Sequence, residues 1–155
     1  MSVTITLEDE ITPALRVRAD GLANMSPVMA DIAQYMLNET KQNFAKGRGP
    51  DNSVWAPKSP VTVASYRRLG LGPGRPLIKE GALSDSVAVQ SGADFAEVFV
   101  AALPYAAMMQ FGGSKSQFPN LWGDIPARPF LGFAQRQQDD IRDILEEWLE
   151  GLIDG

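Results

Sequence analysis

Ile125-Pro126-Ala127-Arg128-Pro129-Phe130-Leu131-Gly132-Phe133 separates two kinds of sequence in this chain. Two prolines three positions apart impose an extended path, because each fixes φ and biases the residue before it away from helix. Arg128 stands between them with no adjacent carboxylate, and Phe130, Leu131 and Phe133 are too apolar for an idle loop. Directly afterwards a helix is predicted over about 135–152. Its apolar face carries Ile141, Ile144, Leu145, Trp148, Leu149 and Leu152 at spacings of three and four, and Asp139, Asp140, Asp143, Glu146, Glu147 and Glu150 cover the other.

Working upstream, Ser114 to Gly123 reads as an exposed loop anchored by Phe118, Leu121 and Trp122. Pro104 to Phe111 is a compact apolar turn expected to place Tyr105 and Phe111 on a sheet, with Gly112-Gly113 stopping it. Val87 and Val89 alternate with polar neighbours, Ser91-Gly92-Ala93-Asp94 turns the chain, and Phe95 to Val100 returns, which is a β-hairpin. Residues 47–81 hold six Gly and five Pro in 35 positions, leaving room only for a short helical turn around Val61 to Leu69. Gly70-Leu71-Gly72-Pro73-Gly74-Arg75 lacks the flanking strand, the helix and the Lys-Ser/Thr of a phosphate loop.

Ser26-Pro27 reads as an N-cap with Pro at the first helical position. From there Val28, Ile32, Met36, Thr40 and Phe44 recur every fourth residue, a core stripe that Gly47 ends. Before it, Thr12-Pro13 opens a short helix toward Leu22, and Val3, Ile5 and Leu7 alternate with polar residues as a half-buried strand.

Four segments together resemble the phage virion morphogenesis, or tail-completion, family of Mu-like phages. Its "IPARPFLG" segment before a C-terminal helix is matched by residues 125–132. Asp51-Asn52-Ser53-Val54-Trp55-Ala56-Pro57-Lys58-Ser59-Pro60 resembles its "PDG-x-x-W-x-P-L-S-P" loop, followed by Tyr66-Arg67-Arg68. Pro76 to Ser86 is similar to "P-L-I-x-T-G-x-L-x-x-S", with Glu80 where Thr is usual. Pro104 to Gly113 resembles "Y-A-x-x-H-Q-F-G-G", with Met109 where His is common. The resemblance covers about residues 40–150 and carries no chemistry at position 109.

The 155 residues suit a single domain able to bury roughly two-thirds of its unfolded surface. There is no His and no Cys, so Cys nucleophiles, Ser–His pairs, disulfides and thiolate or imidazole metal sites are excluded. Asp139, Asp140 and Asp143 read as solvated charge rather than as a metal or acid–base cluster. We therefore assign no enzyme activity, no catalytic residue, no cofactor and no metal. No apolar run approaches a membrane span, and the N-terminal residues lack signal-peptide features, so a soluble protein made in the host cytoplasm is expected.

Charge is uneven. Lys41 to Lys79 contains eight Lys or Arg against Asp51 alone, whereas Asp124 onward contains eight acids against Arg128, Arg136 and Arg142. These are two solvated surfaces, or the two sides of a head-to-tail contact between copies, which would weaken with salt, or a basic loop that contacts nucleic acid without sequence specificity. Acids at 146–150 oppose the helix dipole and invite a cationic partner, or border a channel through which DNA slides.

The expected fold is α+β: a small antiparallel sheet, packed by two main helices, with long Gly/Pro-rich loops and an irregular basic loop at about 47–81. The resemblance implies a structural protein of the phage neck, in the virion, that completes the tail or joins it to the head. It would act as a homo-oligomeric ring, a hexamer, against other neck, connector or tail-tube proteins, with DNA passing close by. A head-side connector or stopper is the alternative within that class, and a nucleic-acid-binding prophage regulator the alternative outside it. Expected contact residues are Trp55, Arg67, Arg68, Phe118, Trp122 and Arg128, although the preferred reading of Trp55 is that it plugs its own domain's core. Pro126, Pro129, Phe130, Leu131, Gly112 and Gly113 are expected to lock the motif into the fold. On that division Phe130→Ala lowers stability, and Arg128→Ala spares folding but impairs assembly.

Overall fold

The computed structural model describes residues 11–78, 81–101, 103–121 and 123–154. The order is α1 (Ile11–Ala23), α2 (Ser26–Lys46), α3 (Pro60–Arg68), α4 (Ala82–Asp85), β1 (Val87–Ser91), β2 (Ala96–Val100), α5 (Ala106–Phe111) and α6 (Gln135–Asp154). This is the expected α+β arrangement, a two-stranded antiparallel sheet packed by helices. The strand expected near the N-terminus lies outside the described residues.

α2 is the spine, and its stripe is the predicted one: Val28, Ile32, Ala33, Met36, Thr40 and Phe44 are buried. Thr40 can sit there because its hydroxyl donates to Met36 O at 2.8 Å, so no polar group is left unmatched. The helix start differs from the cap read at Ser26. Met25 holds the N-cap position without a side-chain bond, and Asn24 Oδ1 instead accepts from Ser26 N at 3.2 Å. At the other end Gly47 takes the left-handed conformation (φ +65°) that lets its N–H reach back to the last carbonyls.

Two clusters share this spine. In the first half Val28, Ile32 and Met36 meet Ile141, Ile144, Leu145 and Trp148 of α6, and Ala96 and Val98 of β2. In the second half Phe44 packs with Trp55, Leu83, Val87, Ala106 and Phe130. The hairpin spans both, in the register Val87↔Val100 and Val89↔Val98, with Gly92 N donating to Phe95 O at 2.9 Å across the turn. α6 is further pinned by Tyr35, which donates to Asp140, and by Arg136, which pairs with Asp140 (3.2 Å) and Glu39. Burial and the Asp140 bond raise the Tyr35 hydroxyl well above the usual phenol range. α1 caps the far end of α6, Arg18 Nη2 donating to Ile153 O at 2.9 Å.

Two expectations about side-chain direction fail. Tyr105 and Phe111 do not lie on the sheet: Tyr105 is exposed, and Phe111 is 77% exposed. α5 instead turns Ala106, Met109 and Gln110 inward, and at 100° per residue Phe111 then points outward. Leu149 also falls outside the core of α6, at 37% exposure. Among the described residues no helix is long and apolar enough to cross a membrane.

Candidate functional site: the latch, the cleft and the outer helix faces

The Pro-rich stretch 125–133 is held as an extended strap by three different elements. Ile125 exchanges both backbone bonds with Gly113 (2.9 and 2.7 Å), and Arg128 N donates to Met109 O at 2.8 Å. The two prolines have no N–H to satisfy, so this spacing suits an extended segment outside any sheet. Gln110 then reads the strap like a second backbone. Its Oε1 accepts from Phe130 N and Leu131 N at 3.0 Å each, and its Nε2 donates to Leu131 O at 2.8 Å. Asn43 Nδ2 donates to Phe130 O at 3.1 Å, and Trp55 Nε1 to Pro129 O at 2.8 Å.

With the amides and carbonyls of Phe130 and Leu131 and the Pro129 carbonyl matched, the strap can drive Phe130 into the core. The Phe130 ring lies 5.2 Å from Phe44, which meets Trp55 edge-on at 5.6 Å. The 47–55 loop is what delivers Trp55. Arg48 pairs with Val54, Trp55 N donates to Gly47 O at 3.0 Å, and Asp51 Oδ1 accepts from Ser53 N at 3.0 Å. Those Ser53 bonds hold the Asp51 carboxyl below its ordinary range.

Arg128 crosses from the strap to the same loop. Its Nε donates to Ala56 O and its Nη2 to Pro57 O, both at 2.7 Å, a fork spanning two consecutive carbonyls. It is 8% exposed, and burial lowers its pKa. Beside it opens a cleft of about 560 Å³ between α3, α4 and the strap, lined by Leu77, Leu83, Met109, Ile125 and Tyr66 among others. Lys58 lies in its wall, donating to Pro73 O and Ile78 O at 2.7 Å, with its ammonium 4.4 Å from the Tyr66 ring centroid. Burial and the nearby Arg128 charge lower the Lys58 pKa. Both cations are thus matched by carbonyl dipoles, and neither makes an ion pair among the described residues.

This geometry revises the expected contact residues. Trp55 is 4% exposed and Arg128 is internal, so both act within the subunit rather than on its surface. The reason is the same for both: each has its polar group matched by a backbone carbonyl of the facing segment. Arg67, Arg68 and Phe118 are exposed, and Trp122 lies outside the described residues. Phe130 is a core residue, Leu131 packs against it, and Pro126 and Pro129 shape the strap. Gly112 has φ +67°, and a Cβ there would come within 2.6 Å of Ala127 N; at Gly113 a Cβ would meet Met108 and Phe118. Asn43 and Gln110 were not singled out in the sequence, although a Gln inside the apolar run 104–111 is the signal that marks a buried backbone partner. Of the acids considered as a cluster, Asp140 is taken by Tyr35 and Arg136, and Asp139 lies 3.8 Å from Arg142. Among the described residues no group of three or more His, Cys, Asp or Glu is placed to hold a metal.

A sequence model of the phage virion morphogenesis family matches residues 6–150, and the chain belongs to that family. It is similar to "Mu-like prophage FluMu G protein 2" of Haemophilus influenzae, 29% identical over 153 residues, 99% of each chain. It is also similar to "Putative capsid assembly protein G" of Escherichia phage Mu, 30% identical over 123 residues, 79% of this chain and 78% of that one. No solved structure matches. The chain is accordingly a phage structural or assembly protein.

Proposed function

We propose that this protein sits in the neck of the phage particle, where it completes the tail or joins it to the head as a ring of identical subunits. Membership of the virion morphogenesis family over most of the chain supports this reading. The subunit suits such a part. A strap and two half-cores brace the subunit, while the outer side of α3, Phe111 and much of Phe118 stay exposed. Rigid subunits set the ring's dimensions, and projecting apolar side chains become buried only when the correct neighbour is present. The work done is geometric, with no bond made or broken.

Labelling places the protein directly. Virions carrying a tagged copy, decorated with gold and viewed by electron microscopy, should show label confined to the head–tail junction. Label spread over the head shell or along the tail tube would refute the neck assignment. A second reading puts the ring on the head side of that junction, as a connector or stopper. It is favoured by the name of the phage Mu relative, which speaks of capsid assembly. After mechanical separation of heads from tails, the label would then remain with heads.

A further inference from the structure

α3 has an outer face with no use inside the subunit. The helix is well started: Ser59 Oγ accepts from Thr62 N at 3.2 Å, and Pro60 occupies the first turn. Yet none of its nine residues is buried. Thr62 and Tyr66 line the cleft, and helical spacing leaves Val61, Ala64, Arg67 and Arg68 on the opposite side. Val61 is 66% exposed, as is Leu69 at 64% just beyond the helix end. Neither arginine makes an ion pair among the described residues.

α6 carries the complementary face. Glu146, Leu149, Glu150 and Ile153 recur at spacings of three and four, so they share one side, turned away from α2. Leu149 and Ile153 are exposed there (37% and 58%), which leaves two apolar knobs between carboxylates. Glu146 and Glu150 make no ion pair among the described residues and stand toward the end of the helix whose dipole disfavours acids. One face is thus apolar with two cations and the other apolar with two anions, at separate places on the same subunit.

We infer that the outer face of α3 docks on the outer face of α6 of a second copy of this chain, making the contact between successive subunits of the ring proposed above, on which reading it rests. The apolar side chains supply the attraction. Exposed ion pairs contribute little by themselves, but they fix register and direction. Because two different surfaces meet, the contact is heterologous and repeats around a ring wherever the rotation closes.

A charge swap in the full-length chain tests this, read by sedimentation in about 0.1 M salt, where exposed pairs still act. Arg67→Glu/Arg68→Glu and, separately, Glu146→Lys/Glu150→Lys should each weaken self-association at least about ten-fold while leaving the melting curve in place. The fourfold variant carrying both reversals should recover it, since each neighbour again presents the opposite sign. Arg16→Glu, at an exposed position of α1, controls for bulk charge and should change nothing. A wild-type chain that stays monomeric, an oligomer indifferent to both reversals, or a fourfold variant that does not reassemble would each overturn the pairing. So would loss of duplex-DNA binding as the sole effect of the arginine reversal. An intact oligomer indifferent to the reversals would leave the neck reading standing, whereas normal virions without the protein would remove that reading and leave the swap result untouched.

Discussion

Replacing Arg128 by Ala should destabilise the subunit itself. The side chain makes two bonds of 2.7 Å, to Ala56 O and Pro57 O, from a position only 8% exposed. A hydrogen bond to a charged group contributes about 1.5–3 kcal/mol, and since Ala56 is half-buried and Pro57 exposed, water can reach the freed carbonyls and recover part of the loss. Relief of the desolvation that lowers the arginine's own pKa offsets part of this. The net loss is about 2–4 kcal/mol, which for a domain of this size lowers Tm by roughly 5–15 °C. Arg128→Lys should fall between Ala and wild type, because a point ammonium cannot span two consecutive carbonyls as the planar fork does. Thermal melts followed by circular dichroism, with urea midpoints as a second measure, are sufficient to decide. If Arg128→Ala melts within about 1 °C of wild type yet no longer assembles, the strap is not held by this residue, and Arg128 is a surface contact after all.

Phe130→Ala removes the ring that joins Phe44 and Trp55 to the strap, and should cost about 3–5 kcal/mol in chemical denaturation. Gln110→Ala strips three bonds from Phe130 and Leu131 at once; we expect about 2–3 kcal/mol, together with faster amide exchange at those two residues. Gly112→Ala combines a positive φ with a Cβ 2.6 Å from Ala127 N, so it should lose at least about 2 kcal/mol. Gly123→Ala, where a Cβ meets nothing within 4 Å, should stay within about 0.5 kcal/mol of wild type. Similar losses at both glycines would contradict the close approach of the strap to Gly112.

The elements with sustained periodicity were legible in the sequence. The α2 stripe from Val28 to Phe44, the apolar side of α6 and the 87–100 hairpin each repeat a pattern that only one face of one element satisfies. The strap was legible as extended from its prolines, and Phe130 as a packing residue from its place among them. Arg128 misled because its partners are backbone carbonyls of Ala56 and Pro57, 72 and 71 positions away, and no letter marks a carbonyl. Trp55 lies in the core, as its preferred reading had it; what no letter marks is that its indole N–H ends on Pro129 O. Phe111 was misplaced because six residues are too few to establish which side of α5 is inside; the Gln110 bonds settle it. Uneven charge was visible from composition, but only the structure puts Arg67 and Arg68 on one bare face, and Glu146 and Glu150 on another.

The most direct test of a neck role is electron microscopy of lysates from a phage with a nonsense codon early in this gene. Full heads lying beside separate tails are the expected result, and a plasmid copy of the gene should restore joined particles. Normal joined virions in the absence of the protein would contradict the account.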